Sequence, residues 1–331
     1  MSKAMTFAAY LCVSVALVSA GEFSAEWNEW KTLHGKIYES EREELTRYAT
    51  WVANKAYIEE HNKHSDVHGF TLKMNQFGDL GSKEFAQLYT RRLSDRDING
   101  NIDAPMYVPT NASIPPASID YRVLGYVTPV KNQGECFSCW SFAATGALEG
   151  QHFKKNKKLI SLSEQNLIDC DTDYNQGCDR GLENLAFNYV KQKGIQSEET
   201  YPYLGYDSQC KADPDKVVVR CTGYVRVQSG DENALVNAIA TIGPIATGFD
   251  GSDPNFKYYG GGVYSGSENC GKTKDDLMHS MLIVGYKTID NKPVYIVKNS
   301  EGTGWGDNGY IYVLRGQNTC GIATEASYPT M

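Results

Sequence analysis

"QGECFSCWSF", residues 133–142, places two cysteines three apart at the start of a helical pattern. The pair admits three readings: half of a metal site, a redox dithiol, or a nucleophile beside a structural cysteine. A metal site needs ligand-spaced partners, and the sequence that follows offers neither a second C-x-x-C nor a paired histidine motif. A redox dithiol follows a strand in a βαβ unit, whereas this pair follows a loop. The nucleophile reading fits better. Cys139 opens the helix, where unpaired N–H groups and the macrodipole favour a thiolate. Trp140 comes next, as suits a residue buried behind a cleft.

A thiolate nucleophile needs a proton partner, and two histidines follow it in the chain. His152 lies on the same helix, roughly 20 Å away at about 1.5 Å of rise per residue, beyond hydrogen-bond reach. His279 is the remaining candidate. It opens "HSMLIVGY" (279–286), and Asp290-Asn291 can turn the chain back into "PVYIVKN" (293–299). An antiparallel pair brings Asn299 near His279, where a side-chain carbonyl can orient the imidazole.

Outward from this segment, 331 residues exceed one small core and predict two lobes, or a pro-region plus a globular body. A net charge of −8, with no Lys/Arg-rich run, argues against nucleic acid as the main partner. Lys3, an apolar run from Met5 to Val18 and the small residues Ser19 and Ala20 read as a signal peptide over 1–20. The run is short for a membrane span, so none is expected. Nine cysteines then divide into Cys12 and eight between 136 and 320, for which an oxidising compartment makes disulfides the default.

Residues 22–92 are charged and free of cysteine. Glu43, Arg47, Trp51, Asn54, Ile58 and Asn62 fall on one face of a long predicted helix. "FTLKMNQFGDL" (70–80) alternates, and a polar stretch from Ser94 to Pro116 with the sequon Asn111-Ala112-Ser113 reads as an exposed linker. The body beyond it is predicted helical from Cys139 to Lys193. After Val217 it turns to strands, interrupted by one helix at Glu232–Ile242. The expected class is α+β: a helical lobe mainly over 125–215 against a β-rich lobe mainly over 216–331.

These segments together resemble the papain family of cysteine proteases, in its cathepsin L-like branch. "YVTPVKNQGECFSCWSF" (126–142) matches the nucleophile segment, "LMHSMLIVGY" (277–286) the histidine segment and "VYIVKNSEGTGWGDNGY" (294–310) the asparagine segment. "SLSEQNLIDC", "CGIATEASYP" and the front helix face are similar as well. The resemblance implies a papain-like two-lobe fold behind a helical, inhibitory pro-region over 21–113, with the peptidase domain at 114–331. It implies a cysteine endopeptidase zymogen in which Cys139 attacks the peptide carbonyl, His279 carries the proton, Asn299 orients His279 and Gln133 donates to the oxyanion. It further implies bridges Cys136–Cys178, Cys170–Cys210 and Cys270–Cys320, a leftover Cys221, and Gly181 and Leu182 along the substrate backbone. No metal or organic cofactor is required. Partners are peptide or protein substrates, the chain's own pro-region and cystatin-type inhibitors, and the setting is secretory, whether lysosomal, endosomal or extracellular, with a glycan at Asn111.

Several positions differ from the pattern or bear on specificity. Phe137 and Arg180 replace glycines, so Phe137 is expected to narrow the cleft or strain its turn. Glu301 replaces a tryptophan that shields the Asn–His bond, so the bond is expected to be exposed, or the His279 pKa raised. These three favour an alternative, a weakly active or non-catalytic relative that binds rather than cleaves. Glu325 falls at the pocket for the second residue before the cleaved bond, where a carboxylate favours arginine or lysine. His61, His64 and His68 gather at the end of the front helix, as a solvated helix end or as a trigger for acid-driven loosening.

Overall fold

The structure, a computed structural model, describes residues 23–89, 104–109, 114–173, 175–268 and 270–331. The expected signal peptide and the Asn111 sequon lie outside the described residues. The chain divides into a unit ending at Ala49 and a larger one spanning Thr50–Met331.

In the first unit, α1 (Ala25–Leu33) is capped by Ser24, whose Oγ accepts from the Trp27 amide at 3.2 Å. The Trp27 indole stacks on Trp30 and Tyr38, with ring centres at 5.1 and 5.8 Å. Its Nε1 donates to Glu44 at 3.3 Å. Glu44 lies on α2 (Glu41–Asn62), which carries the chain into the larger unit.

There the predicted helix face acquires its purpose. Asn54 Nδ2 donates to the carbonyls of Gly78 and Leu80 at 2.7 and 2.9 Å. Asn62 exchanges two 2.8 Å hydrogen bonds with the backbone of Leu72. Trp51, one turn before Asn54, and Ile58, between the two asparagines, are buried on the same face. After α3 (Ser65–His68), β1 (Phe70–Leu72) and α4 (Ser82–Tyr89) complete the front segment.

The body begins with β2 (Ile119–Asp120) and then α5 (Cys139–Asn156), α6 (Glu164–Cys170) and α7 (Glu183–Lys193). A small ribbon pairs β3 (Ile195–Gln196) with β4 (Val217–Val219). Trp140, Ala144, Leu148, Leu167 and Phe187 centre the helical core. The remaining strands are β5 (Gly223–Arg226), β6 (Ile245–Phe249), β7 (Tyr259–Tyr264), β8 (His279–Ile289), β9 (Lys292–Lys298), β10 (Tyr310–Leu314) and β11 (Ala326–Thr330). Two helices interrupt them: α8 (Glu232–Ile242), at the expected place, and α9 (Pro254–Tyr258). The sequence pattern had not announced α9, since five residues are too few to show a period. The strands run β1-β7-β10-β9-β8-β6-β11-β5, with β2 on β8. All pairings are antiparallel except β7–β10.

Two local devices place the site. Asp290 and Asn291 both have positive φ, 48° and 62°, as a two-residue hairpin of primed type requires, and they fold β9 back along β8. In α5, Gly146 and Gly150 lie against Leu282 and Pro244. A Cβ on them would meet those side chains at 2.6 and 2.9 Å, so the missing side chains let α5 approach β8 and the residue before β6. The front segment joins the same sheet: Phe70 pairs with Gly262 and Thr71 with Gly261. A Cβ on Gly262 would fall 2.6 Å from the Gly69 carbonyl and one on Gly260 2.9 Å from Lys73 Cβ, so these two glycines admit the front segment. Ile58, Phe70, Leu72, Phe77 and Phe85 consequently share one apolar core with Tyr258, Tyr264 and Trp305.

Candidate active site

Cys139 is the first residue of α5 and carries a free thiol. The loop before it is pinned by the Cys136–Cys178 disulfide and by the Phe137 amide donating to the Cys178 carbonyl at 3.1 Å. The C-x-x-C pair is therefore one bridged and one free cysteine. Cys170–Cys210 and Cys270–Cys320 are the other bridges, and Cys221 is a buried thiol donating to the Phe187 carbonyl at 3.2 Å.

His279 opens β8, and its Nε2 lies 2.7 Å from Asn299 Oδ1. Both residues are 3% exposed. Ser280, the residue after His279, lies close enough to the Cys139 sulfur to lower its pKa, which sets the thiol near the start of β8. The Phe256 ring stands 5.7 Å from the imidazole, and Trp305 fixes Phe256 by donating to its carbonyl at 3.2 Å.

The electrostatics differ from the helix-head expectation. Burial pushes the Cys139 thiol up to about 11, with Ser280 opposing the rise and Glu183 adding to it. Burial likewise pushes His279 below its ordinary value, against the attraction of Glu301 and the Asn299 bond. Burial thus disfavours the charged forms of both the thiol and the imidazole. Desolvation acts on the whole sulfur, whereas the helix head acts only by partial charge.

Gln133 is buried between the site's two walls. Its Nε2 donates to the Cys136 carbonyl at 3.2 Å and its Oε1 accepts from Ser300 Oγ at 2.6 Å. Its amide donates to the Ser300 carbonyl at 2.7 Å. Beneath it lies a charged network that sequence reasoning missed. Lys131 Nζ donates to Glu164 and Glu149 at 2.6 and 3.2 Å, and Lys298 Nζ donates to the Thr128 carbonyl at 2.9 Å. Thr128 Oγ1 donates to Glu149 at 2.7 Å, closing the chain of contacts from α5 to β9. Burial pushes Lys298 down to about 8. Two glutamates within apolar helical stretches were the available signal.

The departures are accommodated. Phe137 is half-buried and is not among the residues with positive φ, so the strain expected of a former glycine position is not there. Arg180 Nε donates to Gln176 Oε1 at 2.9 Å on an exposed turn. Gly181 has a reason to be glycine: a Cβ there would meet the Trp140 ring at 2.4 Å. Leu182 is buried, with its amide on Asn175 Oδ1 at 2.8 Å. Glu301 does not expose the Asn299–His279 bond, because Glu301 is itself only 4% exposed. Its carboxyl is pushed up to about 8 by burial. It raises His279, as expected, but burial of the ring outweighs it. Glu325 stands 3.4 Å from Lys274 Nζ.

Comparison with known proteins matches this geometry. The profile described as papain family cysteine protease covers residues 115–330. The chain belongs to the papain family. A second profile, the cathepsin propeptide inhibitor domain, covers residues 27–85. Procathepsin L of Rattus norvegicus is 44% identical over 97% of both chains, and a cathepsin L-like peptidase of Aedes aegypti is 45% identical over 92% of both. A digestive procathepsin L 3 from the Tenebrio molitor larval midgut superposes with a TM-score of 0.86 at 39% identity, covering 92% of this chain and 98% of that one. The protein is accordingly a papain-family, cathepsin L-like cysteine endopeptidase in zymogen form, with an inhibitory pro-region and protein substrates. The non-catalytic alternative is not favoured. No helix among the described residues is long and apolar enough to cross a membrane.

Within the family frame, the front segment holds the His279 wall by hydrogen bonds. Asn75 Nδ2 donates to the Lys257 carbonyl and Gln76 Nε2 to the Glu301 carbonyl, both at 2.8 Å. His61, His64 and His68 do converge: the His61 and His68 rings stack at 4.3 Å, and His61 Nε2 lies 3.3 Å from the Phe70 carbonyl, at the start of β1.

Proposed function

We propose that peptide hydrolysis runs through Cys139, His279, Asn299 and Gln133. The observation that carries this reading is the buried 2.7 Å contact between His279 Nε2 and Asn299 Oδ1. It fixes the ring and leaves Nδ1 for the sulfur. Cys139 gives its proton to His279 as its sulfur bonds the carbonyl carbon. The oxyanion takes hydrogen bonds from the Cys139 amide and the Gln133 side chain, which contribute roughly 3 kcal/mol each to such a transition state. Collapse expels the amine with the proton from His279, and water then cleaves the thioester by the same route. Gln133 must turn one N–H from Cys136 toward the oxyanion, a small motion for a side chain already anchored by Ser300.

In this reading residues 1–20 are the signal peptide, 21–113 the pro-region and 114–331 the peptidase domain. Gly181 and Leu182 pair with the substrate backbone, Phe137 borders it, and Glu325 lies at the pocket for the second residue before the cleaved bond. The mature enzyme works in a lysosome or endosome or outside the cell, carries a glycan at Asn111 while the pro-region is attached, and is a target for cystatin-type inhibitors.

Acid activation under reducing conditions, followed by a thiol-directed epoxide and mapping of the modified residue, tests the assignment. Label on Cys139 with parallel loss of activity is expected. Full activity with Cys139 labelled, or label confined to Cys221, overturns it.

A further inference from the structure

Lys257 is a lysine with no exposed surface, in the short helix α9 beside the catalytic histidine. Its ammonium donates to the Leu80 carbonyl and lies 4.4 Å from the Tyr258 ring centre and 5.6 Å from that of Phe85. Burial pushes it down to about 7, against the attraction of Asp79 and Glu84. A leucine here would suit the apolar surroundings and avoid the desolvation of a cation.

Nearly everything that covers Lys257 leaves with the pro-region. Leu80, Phe85, Asp79 and Glu84 belong to that segment, as does Asn75, which holds the Lys257 carbonyl. Of the partners just named, Tyr258 alone belongs to the peptidase body. Removal therefore strips the carbonyl cap and the apolar lid from an ammonium that is one residue from Phe256, the wall of the His279 ring. Asn75 and Gln76, adjacent in sequence, bond Lys257 and Glu301, so the surface between those two residues is opened at the same time.

Chemistry says which part of a substrate passes there. The departing amine takes its proton from His279, so the chain on the amine side of the scissile bond runs over the wall that carries the imidazole. We propose that Lys257, once uncovered, selects substrates bearing a carboxylate just beyond the scissile bond, either an Asp or Glu side chain or the terminal carboxylate of a short peptide. The inference rests on Cys139 and His279 being the catalytic pair. A charge-assisted hydrogen bond in a partly dry cleft corresponds to about a tenfold preference for Glu over Gln.

The test compares processed wild type, Lys257→Met, Lys257→Arg and Lys257→Glu. The substrates are fluorogenic peptides differing only in Glu, Gln or Lys at the first and second positions after the cleaved bond, each as C-terminal acid and amide. The expected result is a Glu-to-Gln ratio in kcat/KM of about ten for wild type, shrinking as salt is raised. Lys257→Arg keeps the ratio, Lys257→Met brings it to about one, and Lys257→Glu shifts preference to Lys. A preference confined to C-terminal acids assigns the carboxylate to the peptide terminus. A wild-type ratio near one for every peptide, or a salt-independent ratio, overturns the proposal even if Lys257→Met fails to fold. So does an unchanged ratio in Lys257→Met. If the Gln peptides are not cleaved at all and epoxide does not label Cys139, the catalytic reading has failed first and this one falls with it.

Discussion

Replacing Glu301 by Gln should change how the zymogen's stability depends on pH. The Glu301 carboxyl moves from about 4.5 to about 8 on folding, chiefly by burial. Between those values the folded chain keeps a proton that the unfolded chain has released. Its protonated form is thus favoured by folding, and the stability associated with it is complete below pH 4.5 and lost as pH rises toward 8. A shift of this size corresponds to at most about 5 kcal/mol across the window, a sizeable fraction of a domain's net stability. His279 acts with the opposite sign. Its neutral form is the buried one, so its contribution is present above 6.5 and lost as pH falls below it. Glu301→Gln removes only the first of these. The assay is urea unfolding of the zymogen, followed by tryptophan fluorescence at pH 4.5, 6 and 8 in a Cys139→Ser background that blocks self-processing. The stability difference between background and Glu301→Gln should grow steadily with pH, in favour of Gln, and Glu301→Trp should behave like Gln. Parallel pH profiles would mean that Glu301 ionises as an ordinary surface carboxylate, and the account of a dry site would fail.

Three further outcomes are expected. Changing His61, His64 and His68 together to Gln should flatten the pH dependence of self-processing. His61 is held below its ordinary value by burial, so the docked segment is stable above 6.5 and loosens as acid charges the ring. Unchanged dependence in a processing time course sinks that idea. Gly181→Ala should cost about 1–3 kcal/mol by driving a methyl into Trp140, read as a lower urea midpoint together with a fall in kcat/KM. Glu325→Ala should reduce the preference for Arg over Leu at the second residue before the cleaved bond by no more than about fivefold, since Glu325 is partly exposed and already meets Lys274; a peptide panel with Arg and Leu at that position checks it.

The candidate nucleophile and its partners were legible because the sequence offered so few alternatives. With two histidines in the body and one of them far along the helix of Cys139, elimination alone reached His279, and a two-residue turn reached Asn299. The helix face of the pro-region was legible as a period of apolar and amide residues, but not its use. Nothing in the spacing of Asn54 and Asn62 says that they will hold the carbonyls of residues 72, 78 and 80. Nor does the sequence say why 260 and 262 are glycines; the close approach of the front segment at Gly69, Phe70 and Lys73 explains it. Lys131, Glu149, Glu164 and Lys298 were invisible as a group because they come from four separate segments, and pattern reading detects neighbours along one element.

The ionisation of Cys139 shows where local rules stop. A cysteine at a helix head has every local reason to be a thiolate, and by that rule the zymogen would already be armed. Burial reverses this for the sulfur and for the imidazole together, and raises Glu301 beside them. All three shifts share one cause, the exclusion of water, and all three disfavour the charged form. Admitting water to the cleft should therefore move them as a set, with Cys139 falling, His279 rising and Glu301 ionising on the side of the imidazolium. Removal of the pro-region then does more than unblock a path for substrate. It admits water that favours the charged forms, so the zymogen should react more slowly with a small thiol reagent than the processed enzyme does.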